Sequence, residues 1–203
     1  MAAVTTWVED PGGGRDRGIR AIARAWIEVL TRPERFFRTG VAPGDQAPGL
    51  VFGLAVVAVA ATTHLATKPT YATRLGQDPT LSLIAVFLLY VVVLAPVVLH
   101  LGAALETAVL IGVVPSDRRA GVSETVQVLA YAGAPCALAG VPVPPLRLVC
   151  VAYAFFLAVL GTVIVHRTSW GRATVATLLP GGLLYGYGFG GFAAAVTVFE
   201  ALG

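Results

Sequence analysis

The chain has 203 residues, 57% hydrophobic and only 12% charged, with a net charge of +3. That length suits one domain, and soluble domains carry about a quarter charged residues, so the composition indicates an integral membrane protein rather than a soluble one. No basic stripe interleaved with aromatic residues is present, which excludes a nucleic-acid partner.

Residues 1–17 are polar and Gly-rich and read as a disordered leader. They lack the apolar core of a secretory signal, so targeting is expected from the first span. Residues 18–38 form the first organised element. Ile19, Ile22, Ala23, Trp26, Ile27 and Leu30 recur at helical spacing, and Arg20, Arg24, Glu28 and Arg32 fall mostly opposite them. A basic, Trp-bearing amphipathic helix ahead of a span is the pattern of a helix lying in the membrane interface. Trp26, Phe36 and Phe37 are its expected apolar anchors, with Arg20 and Arg24 towards anionic headgroups. The alternative is a helix packed on the protein's own cytoplasmic face. Pro33 ends it.

After a turn-rich linker (residues 41–48), a membrane domain is expected over 49–200. Span one covers about 49–67, near the lower limit of roughly 17 residues, and a polar loop follows over 68–79, with Tyr71, Arg74 and Asp78. Residues 81–114 are almost continuously apolar, too long for one crossing at about 1.5 Å per residue and too short for two. They predict one span, about 80–101, kinked at Pro96, with a continuation through Glu106 along or beyond the inner interface. Residues 121–145 open with a helix-start signal: Ser123 as a cap, and the Glu124 carboxylate in the first turn. The apolar run that follows carries Tyr131 and is interrupted at Pro135. A proline there frees a carbonyl, which lipid tolerates only where neighbouring helices re-satisfy it, so this broken third span is expected at the centre of the bundle. Span four is predicted over about 146–166 and span five over 173–199. Cys136 and Cys150 both fall inside spans and read as small packing residues rather than a disulfide.

Orientation follows from the basic residues of alternating loops. Arg15, Arg17, Arg20, Arg24, Arg32, Arg35, Arg38, Arg118, Arg119, Arg167 and Arg172 fall on one side, and Lys68, Arg74 and Arg147 on the other. With five spans this places the N-terminus in the cytoplasm and the C-terminus outside, in the cell membrane.

Two constellations stand out. Gly182, Gly186, Gly190 and Ala194 recur every fourth residue in span five, a small-residue stripe of the kind that lets helices approach closely in lipid, within one chain or between two copies. His100, Glu106 and His166 sit near the inner ends of spans two and four and form a candidate intramembrane polar site, since ionisable groups are costly to hold there. Interfacial snorkelling or a hydrogen bond to a neighbouring helix is the simpler account and the preferred one. His64 lies near the outer end of span one. No HExxH, Cys-x-x-Cys, G-x-S-x-G or P-loop pattern occurs, so no metal, cofactor or catalytic residue is expected.

The stretch ETVQVLAYAGAPCALAGVPVPP, with Tyr131 and Pro135, followed by an apolar span and a polar turn into a last span, resembles the membrane domain of the Yip1 family. The upstream WIEVLTRPERFF is similar to the start of prokaryotic members, and the likeness covers roughly 26–199. The acidic DLYGP-type motif of eukaryotic members is missing, so the resemblance does not extend to a role with Rab-type GTPases. It implies an all-α bundle of five spans with a cytoplasmic N-terminus and no catalysis. The expected role is a membrane-organising scaffold whose partners are the lipid bilayer and a membrane protein or a second copy. The competing expectation is a small transporter or channel built on broken spans three and five, with His100 and Glu106 on its path.

Overall fold

A computed structural model of the chain describes residues 18–68 and 78–203. The leader, and most of the polar loop with Tyr71 and Arg74, lie outside the described residues. The rest is helical, without a strand among the described residues.

Two short helices come first, α1 (Ile19–Thr31) and α2 (Pro33–Thr39). The break falls at Arg32, before Pro33, which suits the first turn of a helix but not its interior. The Arg35 guanidinium closes the corner on the Glu28 carboxylate at 2.6 Å. The helix therefore forms where the sequence places it; Ile19 and Ile27 stay exposed, but much of the rest of its apolar side faces the protein. Ala21, Ala25 and Val29, spaced one turn apart, are fully buried against the bundle, and Phe36 and Phe37 are enclosed in the core. Trp26 is half-buried, and its indole N–H donates to the Ala134 carbonyl at 2.8 Å. The Tyr153 hydroxyl donates to the Leu30 carbonyl at 2.7 Å. The expected anchors Trp26, Phe36 and Phe37 are thus used inside the protein. Arg20 and Arg24 stay on the exposed side. The reason is geometric: from a seven-residue helix the Phe36 ring meets Tyr131 edge-on at 4.8 Å, and Phe37 lies edge-on to Phe36 and against Gly161.

Helix α3 (Ala47–Thr67) follows, and then α4, which runs from Pro79 to Val113 as one 35-residue helix. Asp78 caps it, accepting from the Thr80 and Leu81 N–H groups. The helix does not stop at Leu101 but continues unbroken through Glu106 to Val113. Pro96 is accommodated by a wide π-helical stretch, Leu89–Leu94, after which the Ala95 N–H reaches back to the Tyr90 carbonyl. A proline has no N–H to give, and the widened turn is one of the few ways a helix absorbs that loss without breaking.

The predicted third span is α5 (Val122–Ala132) plus a 3₁₀ segment, Ala134–Gly140. Gly121 rather than Ser123 precedes its first residue. Ser123 lies within the first turn with its hydroxyl unpartnered. From Thr125 to Gly140 every side chain except Leu138 is buried, so this segment is the post around which the others stand. It rises beside α3 in the same direction: positions Gly49, Gly53 and Gly140 face Gln127, Ala130 and the Ala60–His64 turn respectively. Gly49 and Gly140 are required there. A Cβ on Gly49 would lie 2.7 Å from the Gln127 Cα, and one on Gly140 would strike the Ala60 carbonyl and the His64 nitrogen.

Helix α6 (Pro144–Val165) returns, and α7 (Trp170–Gly188) rises again, π-helical over Gly182–Gly188. Gly190 then takes a left-handed conformation (φ +72°), and the chain turns by 71° into α8 (Gly191–Leu202). Gly182, Gly186, Gly190 and Ala194 therefore do not form one stripe. The first two lie in the wide turns, Gly190 is the corner, and Ala194 packs from α8. A regular four-residue spacing defines a face only while the helix stays α-helical, and here it does not.

By length and hydropathy α3, α4 and α6 can each cross a membrane, and the α7–α8 pair makes a fourth if taken as one bent span.

Candidate functional site

The bundle is mostly Ala, Val, Leu and Gly, so its buried polar side chains identify themselves. Glu106 and Thr107 come from α4, Thr125 from α5, Thr162 from α6 and His166 from its C-terminal cap, and Thr177 from α7. Glu106, Thr125, Thr162, His166 and Thr177 have no exposed surface. The Thr162 and Thr177 hydroxyls both donate to Glu106 Oε1, at 2.6 and 3.0 Å, and stand 3.4 Å from each other. One carboxylate oxygen thus ties three helices. Its second oxygen, Oε2, has no partner.

A second branch begins at the next residue. The Thr107 hydroxyl donates to that of Thr125 at 3.4 Å, and Thr125 donates to the Gly121 carbonyl one turn back at 3.1 Å. His166 Nε2 lies 3.3 Å from the same Thr125 oxygen. With Thr125's single proton committed to Gly121, the imidazole donates from Nε2 and keeps its lone pair on Nδ1, which is buried without a partner. Burial is the largest influence on this ring and lowers its pKa to about 4. Glu124 opposes that effect and Arg119 adds to it. His166 is therefore neutral at pH 7.

Glu106 and His166, named by the sequence, are thus both drawn into the buried joint between α4, α5, α6 and α7. His100 is not. Its Nδ1 lies 2.7 Å from the Pro96 carbonyl of its own helix, four residues back, where the ring bonds locally. Among the described residues no three His, Cys, Asp or Glu side chains converge as a metal site would need, and Cys136 and Cys150 are free and buried.

The threonines were not legible as site residues. Each is one hydroxyl in an apolar run, and only their i, i+4 step (Thr162 to His166) hints at a shared face. Gln127 was missed for the same reason. Its amide clamps the linker, accepting from the Ala42 N–H at 2.9 Å and donating to the Ala42 carbonyl at 2.7 Å. Glu124 does similar work, accepting from the Gly44 N–H at 2.8 Å. Tyr131 touches Phe36 and Phe52, and Pro135 sits in the first turn of the 3₁₀ segment.

Such a joint can hold helices in register, since its hydrogen bonds run between side chains of different helices. No characterised protein and no solved structure matches the chain. The model of the Yip1 domain matches residues 27–191, from inside α1 through all the helices that build the joint. The chain belongs to the Yip1 family, and is a membrane protein of that family.

Proposed function

We propose that the protein is a non-catalytic five-span scaffold that organises a membrane partner or a second copy of itself, with its N-terminus in the cytoplasm and its C-terminus outside. The five-crossing count draws support from the third segment. Eleven α-helical and seven 3₁₀ residues rise about 30 Å in all, the thickness of the hydrocarbon core. That segment runs alongside α3 from Gln127 to Gly140. It lacks the unbroken length of a spanning helix, yet covers the height of one.

The observation that carries the scaffold reading is the division of surfaces. The polar side chains of the spans are turned inward, most of them hydrogen-bonded to one another with Glu106 Oε2 and His166 Nδ1 enclosed beside them, while large apolar residues face outward along α4 and α8. Leu81, Val92 and Leu101 are 61–65% exposed, and Phe199 and Leu202 still more. A transport route needs polar groups facing a path; a scaffold needs an interior that does not move and an exterior that partners can meet. The 71° turn at Gly190 sends α8 away from the axis of α7 and presents its outer face separately.

The test is purification in mild detergent with cross-linking and mass spectrometry, alongside flux measurements in reconstituted vesicles. A reproducible membrane partner or homo-oligomer cross-linked through α4 or α8, with no flux above empty vesicles, is expected. Solute flux abolished by Glu106→Gln would overturn the proposal in favour of a transporter.

A further inference from the structure

The sides of α3, α4 and α7 do not close against one another at the two π-helical stretches. A cavity of about 190 Å³ lies between them, lined by Gly53, Leu54, Leu94, Val98, Leu184 and other apolar groups. It continues into a second space of about 200 Å³ past Val57, Tyr90, Gly188 and Phe189, which line both. Tyr90 is 48% exposed and Tyr187, in the second space, 73%, so the groove opens sideways from the bundle. The first part alone exceeds the roughly 150 Å³ apolar cavity known to take up benzene.

The two parts differ in chemistry. The first is almost wholly apolar. The second ends on Arg147 and His64, at the Thr67 end of α3. Arg147 is half-buried at the start of α6, where its Nε donates to the Ala139 carbonyl at 2.8 Å. That bond fixes the guanidinium and leaves the Nη groups directed beside Gly190, where Nη1 stands 3.4 Å from the position a Cβ would take. Among the described residues no carboxylate pairs with Arg147. A cation held part-buried beside an apolar slot, without an acidic partner, calls for an anion that carries a hydrocarbon chain. Arg147 is also outside the cluster of cytoplasmic arginines, so the loop-charge bias does not account for it.

We propose that this groove binds one anionic phospholipid, with an acyl chain between the π-helical stretches of α4 and α7 and the phosphate on Arg147. The wide turns have a role in this. They are frequent at functional sites, and here both of them border the slot, where a regular α-helix would bring its side chains further in. Guanidinium and phosphate match in geometry and charge.

The experiment uses the full chain in nanodiscs of equal phosphatidylglycerol and phosphatidylcholine, with retained lipid read by native mass spectrometry. Roughly ten-fold preference for phosphatidylglycerol is expected, the size of one charge-assisted contact. Arg147→Gln should abolish the preference and Arg147→Lys should keep most of it. Val57→Trp, which blocks the passage between the two parts, should lower retention of the lipid with Arg147 intact. A phosphatidylglycerol bearing a photoreactive acyl chain should label peptides around Leu54 and Leu94, which also reads the site should Arg147→Gln fail to fold. Equal retention of both lipids would overturn the proposal. So would a preference that survives Arg147→Gln, or labelling elsewhere on the bundle. Full displacement of the lipid by inorganic phosphate would identify a simple anion site and overturn it as well.

Discussion

Adding one methyl group at Gly140 should destabilise the protein, whereas the same change at Gly112 should not. A Cβ at Gly140 would lie 2.9 Å from the His64 nitrogen and the Thr63 Cβ, and closer still to the Ala60 carbonyl. Two of these three atoms are backbone, so no side chain can rotate aside. Either α3 retreats or the 3₁₀ segment does, and the parallel contact between them opens along its length. Overpacking of this kind costs about 1–3 kcal/mol, and each kcal/mol moves the melting midpoint of a chain this size by roughly 2–4 °C. Gly140→Ala should therefore lower the midpoint by roughly 2–12 °C. At Gly112, in the last part of α4, a Cβ meets nothing within 4 Å. Gly112→Ala should raise the midpoint slightly, since alanine stabilises a helix interior by about 0.5–1 kcal/mol over glycine. The assay is size-exclusion chromatography of detergent-solubilised protein after heating, with both variants run beside the parent chain. Equal midpoints for the two variants would refute the reasoning, because only the close approach of α3 distinguishes the sites.

Two further outcomes concern the buried joint. A double-mutant cycle of Glu106→Ala and Thr162→Val should show coupling of about 1–3 kcal/mol, the range for a buried hydrogen bond to a neutral or charged acceptor, with additive effects arguing that the 2.6 Å contact contributes nothing. The second is pH dependence. The folded His166 pKa of about 4 lies below its ordinary value of 6.5, so between these values the unfolded chain binds the extra proton and the folded one does not. Stability from this group is complete above pH 6.5 and is lost as pH falls towards 4. The melting midpoint should drop between pH 7 and 5, and His166→Gln should flatten that slope; an unchanged slope would show that another group sets it.

How much of this was legible in the sequence depends on which force writes the signal. Apolar runs locate α3, α6 and the start of α4 to within a few residues, because hydrophobic thickness sets the length of a span, but α4 continues past the expected end near Leu101 to Val113. Pro33 and Pro96 punctuate the chain where backbone chemistry demands. The central post was legible too: a proline in an apolar run must be enclosed, and Pro135 is. What periodicity could not give was the facing of side chains. The helical repeat of Ile22, Trp26 and Leu30 fits a bilayer surface and a protein surface equally well. Only the third dimension, through Trp26 to Ala134 and Phe36 to Tyr131, decides for the protein. The stripe in the last span failed for a related reason. Its four-residue spacing presumes 3.6 residues per turn, and the π-helical stretch at Gly182–Gly188 followed by the corner at Gly190 removes that premise.

The joint and the glycine contacts also account for each other. In lipid no hydrophobic force favours helix against helix over helix against acyl chain, so association relies on close packing and hydrogen bonds. Gly49 and Gly140 bring α3 against the post closely enough for backbone contact, while Gly161 admits Phe37 and Val128 against α6. Once the helices are that close, short side chains suffice to bridge them, which is why the partners of Glu106 are threonines and not longer residues. A carboxylate oxygen that accepts two hydroxyls from different helices fixes their rotation as well as their distance. On this account the glycines set the spacing of the bundle and Glu106 sets its register. The groove by Arg147 lies where the two π-helical stretches interrupt that close packing, on the side of the bundle that the joint does not reach.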